Sequence, residues 1–149
     1  MLKKKDLEII AALRKNARTK MPDVARKLQI PVSTIYEKIT NSNGIIRKFT
    51  VLLDFKKLGY FEKSFFVVKI VKSQKTEFQQ FVLRQTCLNS LYKINNGYDF
   101  IVEAVFEDMR ELEKFKEELE TKFSIKEIGS YNVLDDICQE TFLGRIFDF

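Results

Sequence analysis

The sequence predicts an α+β chain in two parts: an N-terminal winged helix-turn-helix followed by a βαββαβ ferredoxin-like domain. Three observations predict it. Helical periodicity with an internal turn signal runs through the N-terminal third. Positive charge is concentrated in the same third: residues 1–50 hold 12 Lys and Arg against 4 Asp and Glu, a net of +8, whereas residues 51–149 hold 14 against 17, a net of −3. Beyond residue 64 the pattern becomes strand, helix, strand, strand, helix, strand.

The first helix is expected over 3–16, with Leu7, Ile10, Ala11 and Leu13 on one face and Lys4, Lys5, Arg14 and Lys15 on others. Pro22 suits the first turn of a second helix, where its missing N–H costs nothing, and Val24, Ala25 and Leu28 form its apolar stripe. Pro31 ends that helix. Ser33 or Thr34 can cap a third, and Thr34-Ile35-Tyr36-Glu37 fits a capping box. Ile35 and Ile39 turn inward, leaving Ser33, Thr34, Tyr36 and Lys38 near the surface. The run Asn41-Ser42-Asn43-Gly44 is a stop signal, with Gly44 suited to a positive φ. Residues 45–54 (IIRKFTVLLD) read as a β-branched and aromatic strand, the wing, with Arg47 and Lys48 able to touch phosphate.

Residues 1–54 thus form the first domain, 55–63 a turn-rich linker, and 64–149 the second domain with its tail. In the second domain, strands are expected at 64–72, 88–95, 98–106 and 125–134. Helices are expected at 75–86 and from Asp108, whose Asp-Met-Arg-Glu run fits a capping box. Met109, Leu112, Phe115, Leu119 and Phe123 make the buried stripe of the second helix. Asn96 and Gly97 supply a turn between the middle strands. Fourteen phenylalanines, several of them in the tail FLGRIFDF, are hard to bury in a small monomer. A two-fold dimer would hide them, with the tail set against a neighbour.

Composition excludes several classes. At 45% hydrophobic and 32% charged, the chain has room for one or two small domains, and no apolar run reaches the length of a membrane span. MLKKKD leads directly into a helical pattern, without the apolar core of a signal peptide. Cys87 and Cys138 are too few for a disulfide framework, so a cytoplasmic location is expected. The chain has no histidine, which removes the commonest general base and zinc ligand. There is no cysteine pair at metal spacing, no Gly-rich phosphate loop and no nucleophile elbow, so neither metal nor cofactor is expected. Nothing in the sequence speaks positively for an enzyme. A basic helix-turn-helix instead points to double-stranded DNA, with the N-terminal residues of the second helix at base edges in the major groove.

In the order and spacing of these segments the chain resembles the Lrp/AsnC, or feast/famine, regulators. LQIPVSTIYEKI (28–39) resembles their turn and recognition helix, and GIIRKFTVLLD (44–54) the glycine and strand that follow. NNGYDFIVEAVFEDMRELEKF (95–115) resembles the turn, strand and helix of the effector domain, and IKEIGSYNVL (125–134) its last strand. The resemblance implies a sequence-specific transcription regulator, assembled as dimers and further into tetramers or octamers. It also implies that a small, amino-acid-like effector is bound near Asn96, Gly97, Tyr98 and Asp99. An Asp99 carboxylate could pair with an ammonium, and free turn N–H groups could take a carboxylate. Two departures stand out. Glu37 and Lys38 occupy places where the family usually has adjacent basic residues, and Asn96 stands where the family usually has glycine, with Gly97 after it. One alternative is an interaction module whose DNA binding has degenerated. A remoter one is an enzyme like the siroheme decarboxylases, which resemble this family but are thought to use histidines.

Overall fold

The structure, a computed structural model, describes residues 3–41 and 44–145. The chain divides into two compact units: residues up to Leu52 together with those from Asp136 onward, and Leu53–Asp135.

The first unit holds helices α1 (Lys4–Lys15), α2 (Met21–Leu28) and α3 (Val32–Thr40). Its core is Ile9, Ala12, Met21, Val24, Ala25 and Ile35, with Leu13, Leu28, Ile30, Val32 and Ile39 around it. Pro22 lies in the first turn of α2 as the sequence requires. That helix ends at Gln29, in the left-handed region with φ 53°, before Pro31 is reached. The buried face of α1 is rotated from expectation. Ile9, Ala11 and Ala12 are inside, because the small alanine side chains allow the neighbouring helices to approach. The capping also differs. The N-cap of α3 is Pro31, whose carbonyl accepts from the N–H groups of Thr34 at 3.1 Å and Ile35 at 3.3 Å. The helix therefore starts before Ser33 and Thr34, and no side chain caps it.

No strand forms among the described residues of 44–54, so the expected wing strand is absent from the single chain. A strand needs a ladder partner, and this segment has none; Phe49, Val51, Leu52 and Leu53 are left exposed. Gly44 does take a positive φ, +75°, while residues 42 and 43 of the stop signal lie outside the described residues. The sequence groups the tail with the second domain, whereas its partners here are on α1. Arg14 pairs with Glu140 at 2.8 Å and donates through Nε to the carbonyl of Phe142. Of the apolar tail, residues 146–149 lie outside the described residues.

The second unit contains β1 (Glu62–Ile70), α4 (Lys75–Leu83), β2 (Leu88–Lys93), β3 (Phe100–Phe106), α5 (Met109–Lys122) and β4 (Ile125–Asn132). The sheet is antiparallel in the order β2-β3-β1-β4, the ferredoxin-like arrangement. Alternation along β1 and β3 sends Phe66, Val68, Ile70, Phe100, Val102, Ala104 and Phe106 to one face. They meet Phe78 and Val82 of α4, Leu112, Phe115 and Leu119 of α5, and Phe123 just beyond it. Edge-on ring contacts such as Phe66 with Phe115, centroids 5.5 Å apart, account for part of the unusual phenylalanine content. Asp108 caps α5 by accepting from the Glu111 N–H at 3.0 Å. Met109, expected inside, is exposed at the first position of α5. The opposite sheet face carries a buried pair, Lys63 and Glu103, at 3.8 Å with each side chain 9% exposed.

Candidate nucleic-acid interface and effector turn

Helix α3 is positioned by one residue above all. Ile35 is completely buried, and residues near it on the helical wheel, Val32 and Ile39, are half-buried. Ser33, Tyr36, Glu37 and Thr40 are exposed or nearly so, Tyr36 by 57%, and Thr34 is less buried than Ile35. Of the four α3 residues predicted from sequence to read DNA, the structure leaves Ser33 and Tyr36 exposed and Thr34 half-buried, with Ser33 and Thr34 in the first turn of the helix.

Lys38 is placed differently. Its Nζ lies 2.5 Å from Oδ1 of Asp6 on α1, with the two side chains 29% and 21% exposed. The other carboxylate oxygen of Asp6 accepts from the backbone N–H of Lys3 at 2.9 Å, closing the first turn of α1. The hydrogen bond from Lys38, and then the one from Lys3, hold the Asp6 carboxyl below its usual value of 3.8. Lys38 thus ties α3 to the start of α1. Sequence spacing could not reveal this, because the partners lie 32 residues apart. Arg47 and Lys48 line a hollow of about 470 Å³ with Ile10, Leu13 and Arg14 of α1.

The turn between β2 and β3 has Asn96 at φ 65° and Gly97 at φ 87°. Two consecutive left-handed residues explain why Asn can stand where glycine is usual: its short polar side chain tolerates that region. Tyr98 follows, 38% exposed, with its hydroxyl raised above its ordinary value by a hydrogen bond to the Glu127 carboxylate. Asp99 is held on every side. Its N–H donates to the Val68 carbonyl at 2.9 Å and its carbonyl accepts from the Ile94 N–H at 3.0 Å. Its Oδ2 accepts from the buried Ile70 N–H at 2.9 Å, and its Oδ1 pairs with Lys75 Nζ at 2.6 Å. The Ile70 N–H, then Lys75, hold the carboxyl below its usual range. Asp99 therefore braces the end of β1, the start of β3 and the first turn of α4. Nothing in the local sequence marks Lys75 as its partner. Beside the brace lies a hollow of about 190 Å³ lined by Lys75, Thr76, Gln79, Lys93, Ile94, Asp99 and Phe100.

Among the described residues no helix is long and apolar enough to cross a membrane. A family described as winged helix-turn-helix DNA-binding matches residues 2–40. An uncharacterized HTH-type transcriptional regulator of Pyrococcus furiosus is 27% identical over 139 residues, covering 92% of this chain and 93% of that one. A transcriptional regulator of Neisseria meningitidis, solved as a complex with L-Met, superposes with a TM-score of 0.83 at 21% identity, covering 93% of this chain and 94% of that chain. AsnC of Escherichia coli superposes with a TM-score of 0.82 at 18% identity over 96% and 99% of the two chains. The structural likenesses establish the fold, while the matched helix-turn-helix and the end-to-end relative bear on the role. The chain thus carries, over residues 2–40, a match to the winged helix-turn-helix DNA-binding family, and it shares the fold of the AsnC structure over nearly its whole length.

Proposed function

We propose that the chain binds double-stranded DNA as a homodimer that presents two copies of α3 to successive major grooves, and that a small molecule modulates its assembly. The observation that carries this reading is the open face of α3, set opposite the fully buried Ile35 on a strongly basic domain. Ser33, Thr34 and Tyr36 offer hydroxyls for base edges or phosphates. Arg47 and Lys48, with Lys3, Lys4 and Lys5, supply phosphate contacts that add affinity without sequence preference. Lys38 contributes by holding α3 against α1.

A second copy supplies what residues 45–53 lack. Phe49, Val51 and Leu52 are 60%, 68% and 61% exposed on a segment of strand-forming composition. Pairing with the same segment of a partner would give it a ladder and bury those side chains. Tetramers or octamers would follow from contacts between dimers.

The effector is proposed to sit beside the 96–97 turn, in the hollow lined by Lys75, Gln79 and Lys93. Of the four turn residues, Asp99 lines this hollow, where it is braced rather than offering a free carboxylate, and Asn96, Gly97 and Tyr98 precede it in the chain. A ligand there changes assembly only by binding one assembly state more tightly than another. The protein works in the cytoplasm and catalyses no reaction.

The test is selection from a random-sequence DNA pool with the full chain at near-physiological salt. A recovered palindrome with half-sites about 10 bp, or a multiple, apart supports the dimeric reading. Recovery of no motif overturns it and leaves the interaction module.

A further inference from the structure

One of the exposed side chains on the open α3 face, Glu37, is acidic. Two residues of α-helix rotate by about 200°, so Glu37 points away from the core on the side opposite Ile35. Ser33 lies one turn earlier near the same line, and Tyr36 and Thr40 lie on that same side of it. Lys38 is the single cation in the sequence of α3 and is taken by Asp6. Glu37 itself makes no ion pair among the described residues. The helix therefore offers DNA a carboxylate that no cation of its own neutralises.

We infer that Glu37 is a base-specificity determinant: its carboxylate accepts a hydrogen bond from the exocyclic amino group of a cytosine in the major groove. This rests on the docking of α3 proposed above. An ionised carboxylate is an acceptor only. Phosphates, guanine N7 and O6, and thymine O4 all repel it. Only cytosine N4 and adenine N6 donate in the major groove, and adenine N6 stands beside the N7 acceptor, which again repels the second carboxylate oxygen. Cytosine is the base left that satisfies the group. The same charge penalises every other base and the backbone of unrelated DNA, so specificity is gained partly by exclusion. An unmatched carboxylate at this place lowers affinity for most sequences, which explains how a basic domain can tolerate it on its reading helix.

The experiment compares the full chain with Glu37→Gln and Glu37→Ala in parallel random-pool selections, followed by anisotropy titrations at one fixed salt concentration. The wild type is expected to recover a motif with a required C·G pair in each half-site. Replacing that pair should weaken wild-type binding about 5- to 150-fold, the range for one good base contact. Glu37→Gln should move the preference toward adenine, whose N6 and N7 suit an amide. Glu37→Ala should lose the preference without acquiring another. Both variants should bind random DNA more tightly than the wild type, because a repelled charge has gone. Since Glu37 is exposed, both should melt like the wild type by circular dichroism. A motif whose C·G dependence is the same in all three proteins overturns the inference and leaves the docking reading intact. Recovery of no motif by the wild type overturns both.

Discussion

Removing the Asp99 carboxylate separates its bracing role from a ligand-binding one. The two substitutions Asp99→Asn and Asp99→Ala differ in what they leave behind. Asparagine keeps an acceptor for the Ile70 N–H and loses only the pair with Lys75, whose side chain is 42% exposed. An ion pair with one partner that open is worth about 0–1 kcal/mol. Alanine also strands the Ile70 N–H on a residue that is 2% exposed, and an unsatisfied buried donor costs about 1–3 kcal/mol. Asp99→Ala should therefore destabilise the second unit by about 2–3 kcal/mol, and Asp99→Asn by about 1 kcal/mol or less. Urea unfolding followed by tyrosine fluorescence reads this directly, because four of the five tyrosines lie in that unit and the chain has no tryptophan. The pH dependence gives a second reading. A carboxyl whose folded value is depressed adds stability above its ordinary value of 3.8, and loses it as the pH falls through the lower folded value. The wild type should accordingly lose more stability on acidification below 3.8 than Asp99→Asn does. Equal destabilisation by Asn and Ala, or a change under about 0.5 kcal/mol for Ala, the ordinary size of a neutral surface substitution, would refute the bracing argument.

Three further outcomes follow from the first unit. Ile35→Ala, at a position 0% exposed, should cost about 2–5 kcal/mol and abolish DNA binding with the loss of α3, read by circular dichroism and gel shift. Lys38→Ala should lower the melting temperature by removing the Asp6 pair, yet leave the selected base motif unchanged; a changed motif would show that Lys38 leaves Asp6 to read bases. The double change Arg47→Gln with Lys48→Gln should flatten the dependence of log affinity on log salt by about 0.9 for each phosphate that is no longer neutralised, with the motif unchanged.

What could be read from the sequence, and what could not, divides along physical lines. Local signals are reliable in this chain. Pro22 in a first turn, Asp108 as a cap, Gly44 and Asn96-Gly97 at positive φ, and the Leu112, Phe115 and Leu119 stripe are all set by neighbours within a few residues. Partners far apart in sequence stay hidden. Nothing in the sequence shows Asp6 beside Lys38, or the Ile70 N–H and Lys75 beside Asp99. The wing shows a third limit. Strand composition at 45–54 predicts a strand, but composition cannot supply a ladder partner, and one chain offers none to this segment. The capping box fails for a similar reason: Pro31 starts the helix earlier, so Ser33 and Thr34 fall inside its first turn instead of at the N-cap.

The central claim is that α3 enters the major groove, and a tethered cleavage reagent tests it most directly. Cys138 is exposed and would be changed to serine, while Cys87 is half-buried, its thiol pushed up chiefly by burial. An iron chelate attached at Thr40→Cys in that background then reports where the last turn of α3 lies on a selected operator. The account predicts two clusters of strand breaks across the major groove, about one helical turn or a multiple apart. Breaks confined to the minor groove, or no more breaks than the free chelate gives, would contradict it.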